Sequence, residues 1–181
     1  ADASKANLDR LYRFRKVITH CPHCFNTIKN EYPQFGGTYE VLHHSQVIQA
    51  LIEEGRIKPT KPLDASVAFH DSCYLGRYNG IFDAPRNVAK AVPGLRVIEL
   101  PRNRERGLCC GGGGGHMWME VKAEKRVNLI RVEEALDAKV NMVATGCPFC
   151  LAMIDLGRKV KGAEETLAVK DVSELVAESL P

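Results

Sequence analysis

Residues 17–24, VITHCPHC, and residues 143–150, VATGCPFC, share Val, Thr, Cys, Pro and Cys in register. In each, a short apolar run leads into a CxxC whose proline suits the first turn of a helix. The likeness continues beyond the cysteines. A helical pattern, a short strand-like stretch (YEVL; LAV) and a last helical pattern (SQVIQALIEEG; VSELVAESL) follow both. The offset is 126 residues at the cysteines and about 127 at the last helices, a difference one small indel explains. A unit repeated in this way fixes the architecture more firmly than composition can.

The second copy carries more cysteines than the first. Cys73, Cys109, Cys110, Cys147 and Cys150 form a C-x35-C-C-x36-C-x-x-C pattern, and Cys21 and Cys24 match only its last pair. The spacing from Cys110 to Cys147, applied to Cys21, places a partner pair about 16 residues ahead of Ala1. The chain therefore reads as the C-terminal part of a first unit, residues 1–60, and a complete second unit, residues 61–181. A start at Ala1 rather than Met fits a fragment or a processed product.

Periodicity predicts strands over 16–19, 39–42, 66–69, 95–100, 140–145 and 167–169. It predicts helices over 22–31, 45–54, 85–91, 121–137, 148–159 and 172–180, the last capped by Asp171, with residues 4–13 ending a further helix. Val47, Ile48, Leu51 and Ile52 mark one face of the second helix, and Leu129, Val132 and Leu136 one face of the fourth. Residues 56–65, with Pro59 and Pro62, read as a linker. Alternating strands and helices imply an α/β fold of mostly parallel sheets with flanking helices. The cysteines fall where strands end and helices begin, the edge at which such folds build sites.

Five thiolates at one edge repel and need a cation or a cluster. Tetrahedral zinc takes four ligands, and a [4Fe–4S] cluster usually takes four cysteines. A fifth cysteine implies a spare thiol, a bridging thiolate or an unusual cluster. Gly111 and Gly112 open a five-glycine run that can turn several N–H groups toward one point, and N–H donors to cluster sulfurs raise a reduction potential. A phosphate-binding role lacks its G-x-G-x-x-G or GK[ST] pattern. Cys21 and Cys24 alone would suit a dithiol catalyst, but that reading leaves the other five cysteines unexplained.

Other residues give weaker signals. His20 and His23 flank Cys21, though Gly146 and Phe149 replace them in the other copy. His43-His44 stands where the second copy has Lys170-Asp171 and reads as a surface or interface pair. His70 and His116 lie near the complete pattern and read chiefly as packing residues. Arg102, Arg104 and Arg106 read as a solvated loop able to meet an acidic partner. Trp118, with Met117 and Met119, reads as core or a docking patch.

Seven cysteines, an odd number, argue against a disulfide framework and for a reducing, cytoplasmic setting. A net charge of +3 does not argue for nucleic acid. No apolar run approaches the ~20 residues of a membrane span.

The stretches CPHCFNTIKNEYPQFGG, HDSCYLGRYNGIFDAPR, CCGGGGGHMWME and ATGCPFCLAMI resemble the CCG-type cysteine-rich domain family. That family includes a cysteine-rich component of heterodisulfide reductase and the iron–sulfur subunits of glycolate oxidase and related enzymes. The likeness is strongest to the branch tied to electron transfer flavoprotein and quinone reduction. It implies an oxidoreductase module with one [4Fe–4S] cluster, noncubane in the heterodisulfide reductase component, on Cys73, Cys109, Cys110, Cys147 and Cys150. Cys21 and Cys24 would be half of a second site, completed by a missing N-terminal part of the protein. Electrons would pass between a flavin-containing partner and a quinone-linked acceptor, or to a disulfide at the cluster. Relatives of this kind also imply work at the cytoplasmic face of the membrane through other domains. A structural zinc module that docks partners is the alternative.

Overall fold

The computed structural model describes residues 14–119 and 126–181. Its strands are β1 (Lys16–Thr19), β2 (Glu40–His43), β3 (Ala65–His70), β4 (Leu95–Ile98), β5 (Met142–Thr145) and β6 (Ala168–Asp171). Its α-helices are α1 (Pro22–Asn26), α2 (His44–Glu53), α3 (Asp83–Lys90), α4 (Val127–Asp137), α5 (Pro148–Val160) and α6 (Val172–Glu178). The strands form a parallel β1–β2 pair and a sheet ordered β4–β3–β5–β6, parallel throughout. The expected α/β architecture is present.

Alternation along the central strands sorts the core. Val67 and Phe69 of β3 and Met142 and Ala144 of β5 face Val88 and Ala89 of α3 and Leu175 of α6. Ala68 and Val143 face the opposite way, onto Val132 and Ala135 of α4 and Ile154 of α5. Both faces of β3 and β5 are covered, so these strands are almost wholly apolar.

Several bounds differ from the sequence reading. The helix predicted over 22–31 is α only to Asn26, continues as a π turn over Thr27–Glu31, and ends in a 3₁₀ turn, Tyr32–Phe35. Pro33 cannot continue an α ladder, and Gly36 closes the segment at φ 88°. The strand predicted over 95–100 stops at Ile98, ahead of Pro101. On α4 the buried residues are Asn128, Arg131, Val132 and Ala135, while Leu129 is only half-buried. Hydrophobicity could not mark Asn128 and Arg131: Asn128 Nδ2 donates to Met153 O at 3.0 Å, and Arg131 Nε donates to His70 Nδ1 at 3.0 Å. The helix end at 4–13, the first residues of the predicted 121–137 helix, and part of the 1–60 segment lie outside the described residues.

The two related stretches adopt closely similar local structure. β1 pairs with β2 as β5 pairs with β6. Phe25 N–H donates to Cys21 O at 2.9 Å, and Leu151 N–H donates to Cys147 O at 2.9 Å. His43 and Asp171 each cap a helix, in capping boxes closed by Gln46 and Glu174. His43 thus corresponds to Asp171, one position away from the sequence alignment. An imidazole nitrogen here does the capping work of a carboxylate, which residue type alone conceals.

His43 and His44 are buried, not on the surface. His43 Nε2 donates to Gly146 O (3.0 Å) and His20 O (3.3 Å), the carbonyls just ahead of the two CxxC pairs. Gly146 permits this approach: a Cβ there would lie 3.1 Å from His43 Cε1. His44 Nε2 meets Asp171 Oδ1 at 2.8 Å.

Burial, with the His44 ring second, pushes His43 down to about 4. Burial raises Asp171, but hydrogen bonds from His44 and Ser173 outweigh it and hold the carboxylate below its ordinary value. Folded His43 stays neutral where the unfolded chain already takes a proton, so acid favours unfolding. Urea unfolding of the parent chain and of a His43 variant should show His43 accounting for a loss of stability on the order of 3 kcal/mol from above pH 6.5 to about pH 4. His43→Gln should remove that share of the slope and leave the share due to the other buried, neutral imidazole, His70.

Candidate metal centre

β3 and β5 end side by side, with His70 opposite Thr145. Beyond His70 the chain turns through Asp71 and Ser72 to Cys73. Beyond Thr145 it turns through Gly146 to Cys147, the N-cap residue of α5, with Pro148 in the first turn. Cys150 follows three residues on, about one helical turn away. The vicinal pair Cys109–Cys110 arrives on the loop that leaves β4.

A buried ionic network fixes that loop. Arg86, 1% exposed, grips both Asp71 oxygens (2.6 and 2.8 Å) and both Glu99 oxygens (2.6 and 2.8 Å). Asp71 Oδ2 also accepts from the Arg104 backbone N–H at 2.6 Å. Arg77 donates to Gly107 O at 2.7 Å. The 102–106 run is therefore partly spoken for: Arg102 pairs with Glu134 and Arg104 with Asp83.

All five cysteines of the complete pattern meet. Cys110, Cys147 and Cys150 pack with Met153 in a buried cluster, with Cys109 and Phe149 against it. The sulfurs are close enough to shift one another's protonation in series: Cys73 with Cys109, Cys109 with Cys110, Cys110 with Cys150, and Cys150 with Cys147. Bonds from Cys110 and Cys73, with the Gly111 N–H, hold the Cys109 thiol far below its ordinary range. A bond from Cys150 brings Cys147 down to about 7. Their partners move the other way. The bond to Cys109 pushes Cys110 up to about 12 and raises Cys73, and bonds to Cys110 and Cys147 raise Cys150. Cys109 and Cys147 are thus biased toward the thiolate and Cys73, Cys110 and Cys150 toward the thiol, and none of the seven cysteines forms a disulfide.

The two predicted glycines touch this site. Gly111 N–H donates to Cys109 Sγ at 3.3 Å, from a backbone at φ 82°. A Cβ on Gly112 would lie 3.0 Å from Met153 Cγ and 3.6 Å from Cys110 Sγ.

Three buried polar groups belong to residues at or just past the ends of β3 and β5. His70 Nε2, Ser72 Oγ and Thr145 Oγ1 are buried without a hydrogen-bond partner of ordinary geometry. A ring nitrogen of His70 and the Sγ atoms of Cys110 and Cys150 lie within 4.8 Å of one another. Arg131 Nε donates to His70 Nδ1 at 3.0 Å. Burial, with the Arg131 charge second, pushes His70 down to about 3, so its ring is neutral. His70 was expected as a packing residue; the HDSC string, polar at the end of an apolar strand, was the available signal. Nothing in the sequence paired it with Arg131.

Cys21 and Cys24 do not join the five. They sit at the start of α1, Cys21 buried and Cys24 exposed, and burial raises the Cys21 thiol. His23 is the link. Its Nδ1 is 3.9 Å from Cys21 Sγ, and its ring lies 4.3 Å from Tyr74 and 5.1 Å from Phe149. The charge of Cys109 also reaches His23, although burial dominates and lowers it. His23, Gly112–Gly115, Trp118 and Phe149 line a cleft of about 240 Å³ beside the sulfurs. Trp118 is 74% exposed, so it is a surface residue and not core. His116 is exposed as well.

A parallel α/β fold with five cysteines gathered at the carboxyl edge of its central strands defines a cysteine-rich redox or metal-binding module. Residues 67–155 match the model of the CCG cysteine-rich domain, and that segment contains Cys73, Cys109, Cys110, Cys147 and Cys150, with only Cys21 and Cys24 of the earlier pair outside it. It is 47% identical over 166 residues to a probable iron-sulfur-binding oxidoreductase, FadF, of Bacillus subtilis. It is 47% identical over 172 residues to an EtfAB:quinone oxidoreductase of Syntrophomonas wolfei. It is 35% identical over 169 residues to a component of the dihydromethanophenazine:CoB–CoM heterodisulfide reductase of Methanosarcina barkeri. These matches take in 91–92% of this chain but 24%, 24% and 41% of the respective relatives. Among the described residues, no helix is long and apolar enough to cross a membrane.

Two substitutions probe how the site is held. Arg86→Leu leaves Asp71 buried and unpaired and should cost about 3–5 kcal/mol in denaturant unfolding. Gly111→Ala forces a side chain into the left-handed region and should cost about 1–2 kcal/mol.

Proposed function

We propose that this chain is the iron–sulfur electron-transfer module of an oxidoreductase, with one [4Fe–4S]-type cluster held by Cys73, Cys109, Cys110, Cys147 and Cys150. The observation that carries this reading is the convergence of five thiols, one more than tetrahedral zinc uses. The donor set suits a cluster in a second way. The His70 ring, whose buried Nε2 has no partner, lies beside the sulfurs of Cys110 and Cys150, where a hydrogen bond to sulfur would satisfy it.

When bound, the cluster supplies one-electron chemistry at a potential set by its surroundings. The protein's own residues do the rest. The Gly111 N–H and the N-terminus of α5 favour anionic sulfur on Cys109 and Cys147. Met153 and Phe149 keep water from the inner side. The Asp71–Arg86–Glu99 network holds the vicinal pair in place.

Residues 61–181 form the complete CCG unit in this reading, and residues 1–60 the end of a partial one, with Cys21 and Cys24 as half of a second site. The shared strand pairing and helix caps support that division. Likeness to an EtfAB:quinone oxidoreductase supports a flavin-containing partner, electron transfer flavoprotein being the chemical type, and a quinone-linked acceptor. Other subunits or domains of the parent protein would place the module at the cytoplasmic face of a membrane. The cleft beside Cys109 favours a second reading, reduction of a disulfide at the cluster, in line with likeness to a heterodisulfide reductase component.

Protein purified without oxygen should contain about four iron and four acid-labile sulfide per chain. Serine at Cys109, Cys110, Cys147 or Cys150 should reduce both, and Cys24→Ser should leave them unchanged. Zinc without sulfide would make the chain a structural, partner-docking module instead.

A further inference from the structure

We infer that His70 is a hydrogen-bond donor to sulfur at this centre, through an Nε2 proton that Arg131 keeps in place. The inference rests on the cluster reading above, but its first test does not.

A guanidinium has donors and no acceptor. Arg131 Nε reaches His70 Nδ1 at 3.0 Å, so Nδ1 is the acceptor, and the proton of the neutral ring sits on Nε2. Arg131 has little freedom to do otherwise. It is 1% exposed, and its other nitrogens donate to Phe69 O (3.2 Å), Arg102 O (2.9 Å) and Glu134 Oε2 (2.8 Å). Phe69 and His70 are neighbours on β3, so the guanidinium reads the end of the strand and the ring together.

His70 is fully buried, and Nε2 has no hydrogen-bond partner in the protein. A buried N–H left without an acceptor is destabilising. The sulfurs of Cys110 and Cys150 lie in the same small group as a His70 ring nitrogen, within 4.8 Å. An acceptor brought by those sulfurs, or by sulfide bound among them, would satisfy the donor. A role as metal ligand fits poorly. A ligating histidine offers a bare nitrogen to the metal and donates its other N–H to an acceptor, the reverse of this arrangement. His70 therefore adds no sixth ligand; it stabilises the more negative state of the centre and raises its reduction potential.

The first test is ¹⁵N-histidine NMR of the metal-free chain. Nε2 of His70 should carry a directly bonded proton and Nδ1 none, and Arg131→Leu should loosen that preference. A proton on Nδ1, or on both nitrogens, would overturn the inference whatever the metal proves to be. The second test uses iron-loaded protein. His70→Leu should lower the reduction potential, while His70→Gln, which keeps an N–H at the same distance along the side chain, should stay nearer the parent value. Equal potentials in all three proteins would reduce His70 to packing. Nitrogen coupling strong enough for direct ligation, with cluster loss in both variants, would make it a ligand, and either result would overturn the inference. A chain that binds only zinc would defeat the cluster reading without altering the NMR result.

Discussion

The structure depends on two parallel strands that stop together. β3 and β5 are hydrogen-bonded in register up to His70 and Thr145. Parallel strands deliver their next residues to the same edge, so Cys73 and Cys147 emerge as neighbours although 73 residues separate them in the chain. Because helices cover both faces of the sheet, little but this edge remains for a site. The covering helices then add to the chemistry. α5 starts at Cys147 and directs its N-terminus at the sulfurs, and α4 brings Arg131 beneath the end of β3.

Such an edge gathers like charges, and the protein answers with buried ionic networks rather than apolar packing. Replacing a buried ion pair with apolar residues is often neutral or stabilising, so these pairs are better understood as positioning devices. Arg86 joins Asp71, two residues before Cys73, to Glu99 on the loop that leads to Cys109. Arg131 joins that same loop, through Arg102 O, to His70 and Glu134. Each arginine ties together segments far apart in sequence, and each tie ends next to a cysteine. Two sulfurs biased toward the thiolate, Cys109 and Cys147, suit a site that accepts positive charge.

Much of this was legible in the residues, for definite reasons. Apolar runs bounded by Gly and Pro gave the strand and helix order, and cysteine spacing picked out the five residues that meet. What escaped was polar and long-range. Nothing in the sequence marked Arg86 or Arg131, because an ion-paired arginine looks the same in one dimension as a solvated one. His43 hid as a cap because imidazole replaced carboxylate. The break at Asn26–Thr27 reflects Pro33 several residues ahead, a weaker signal than the apolar pattern it interrupts. The link from His23 to Cys109 depends on how the two CxxC segments pack, which no local pattern encodes.

The five cysteines act together only if one group binds them all. Anaerobic crystals of iron-loaded protein, measured on either side of the iron and zinc absorption edges, test this directly. The account predicts anomalous iron density enclosed by the sulfurs of Cys73, Cys109, Cys110, Cys147 and Cys150. A zinc peak on four sulfurs, or iron bound elsewhere, would contradict it.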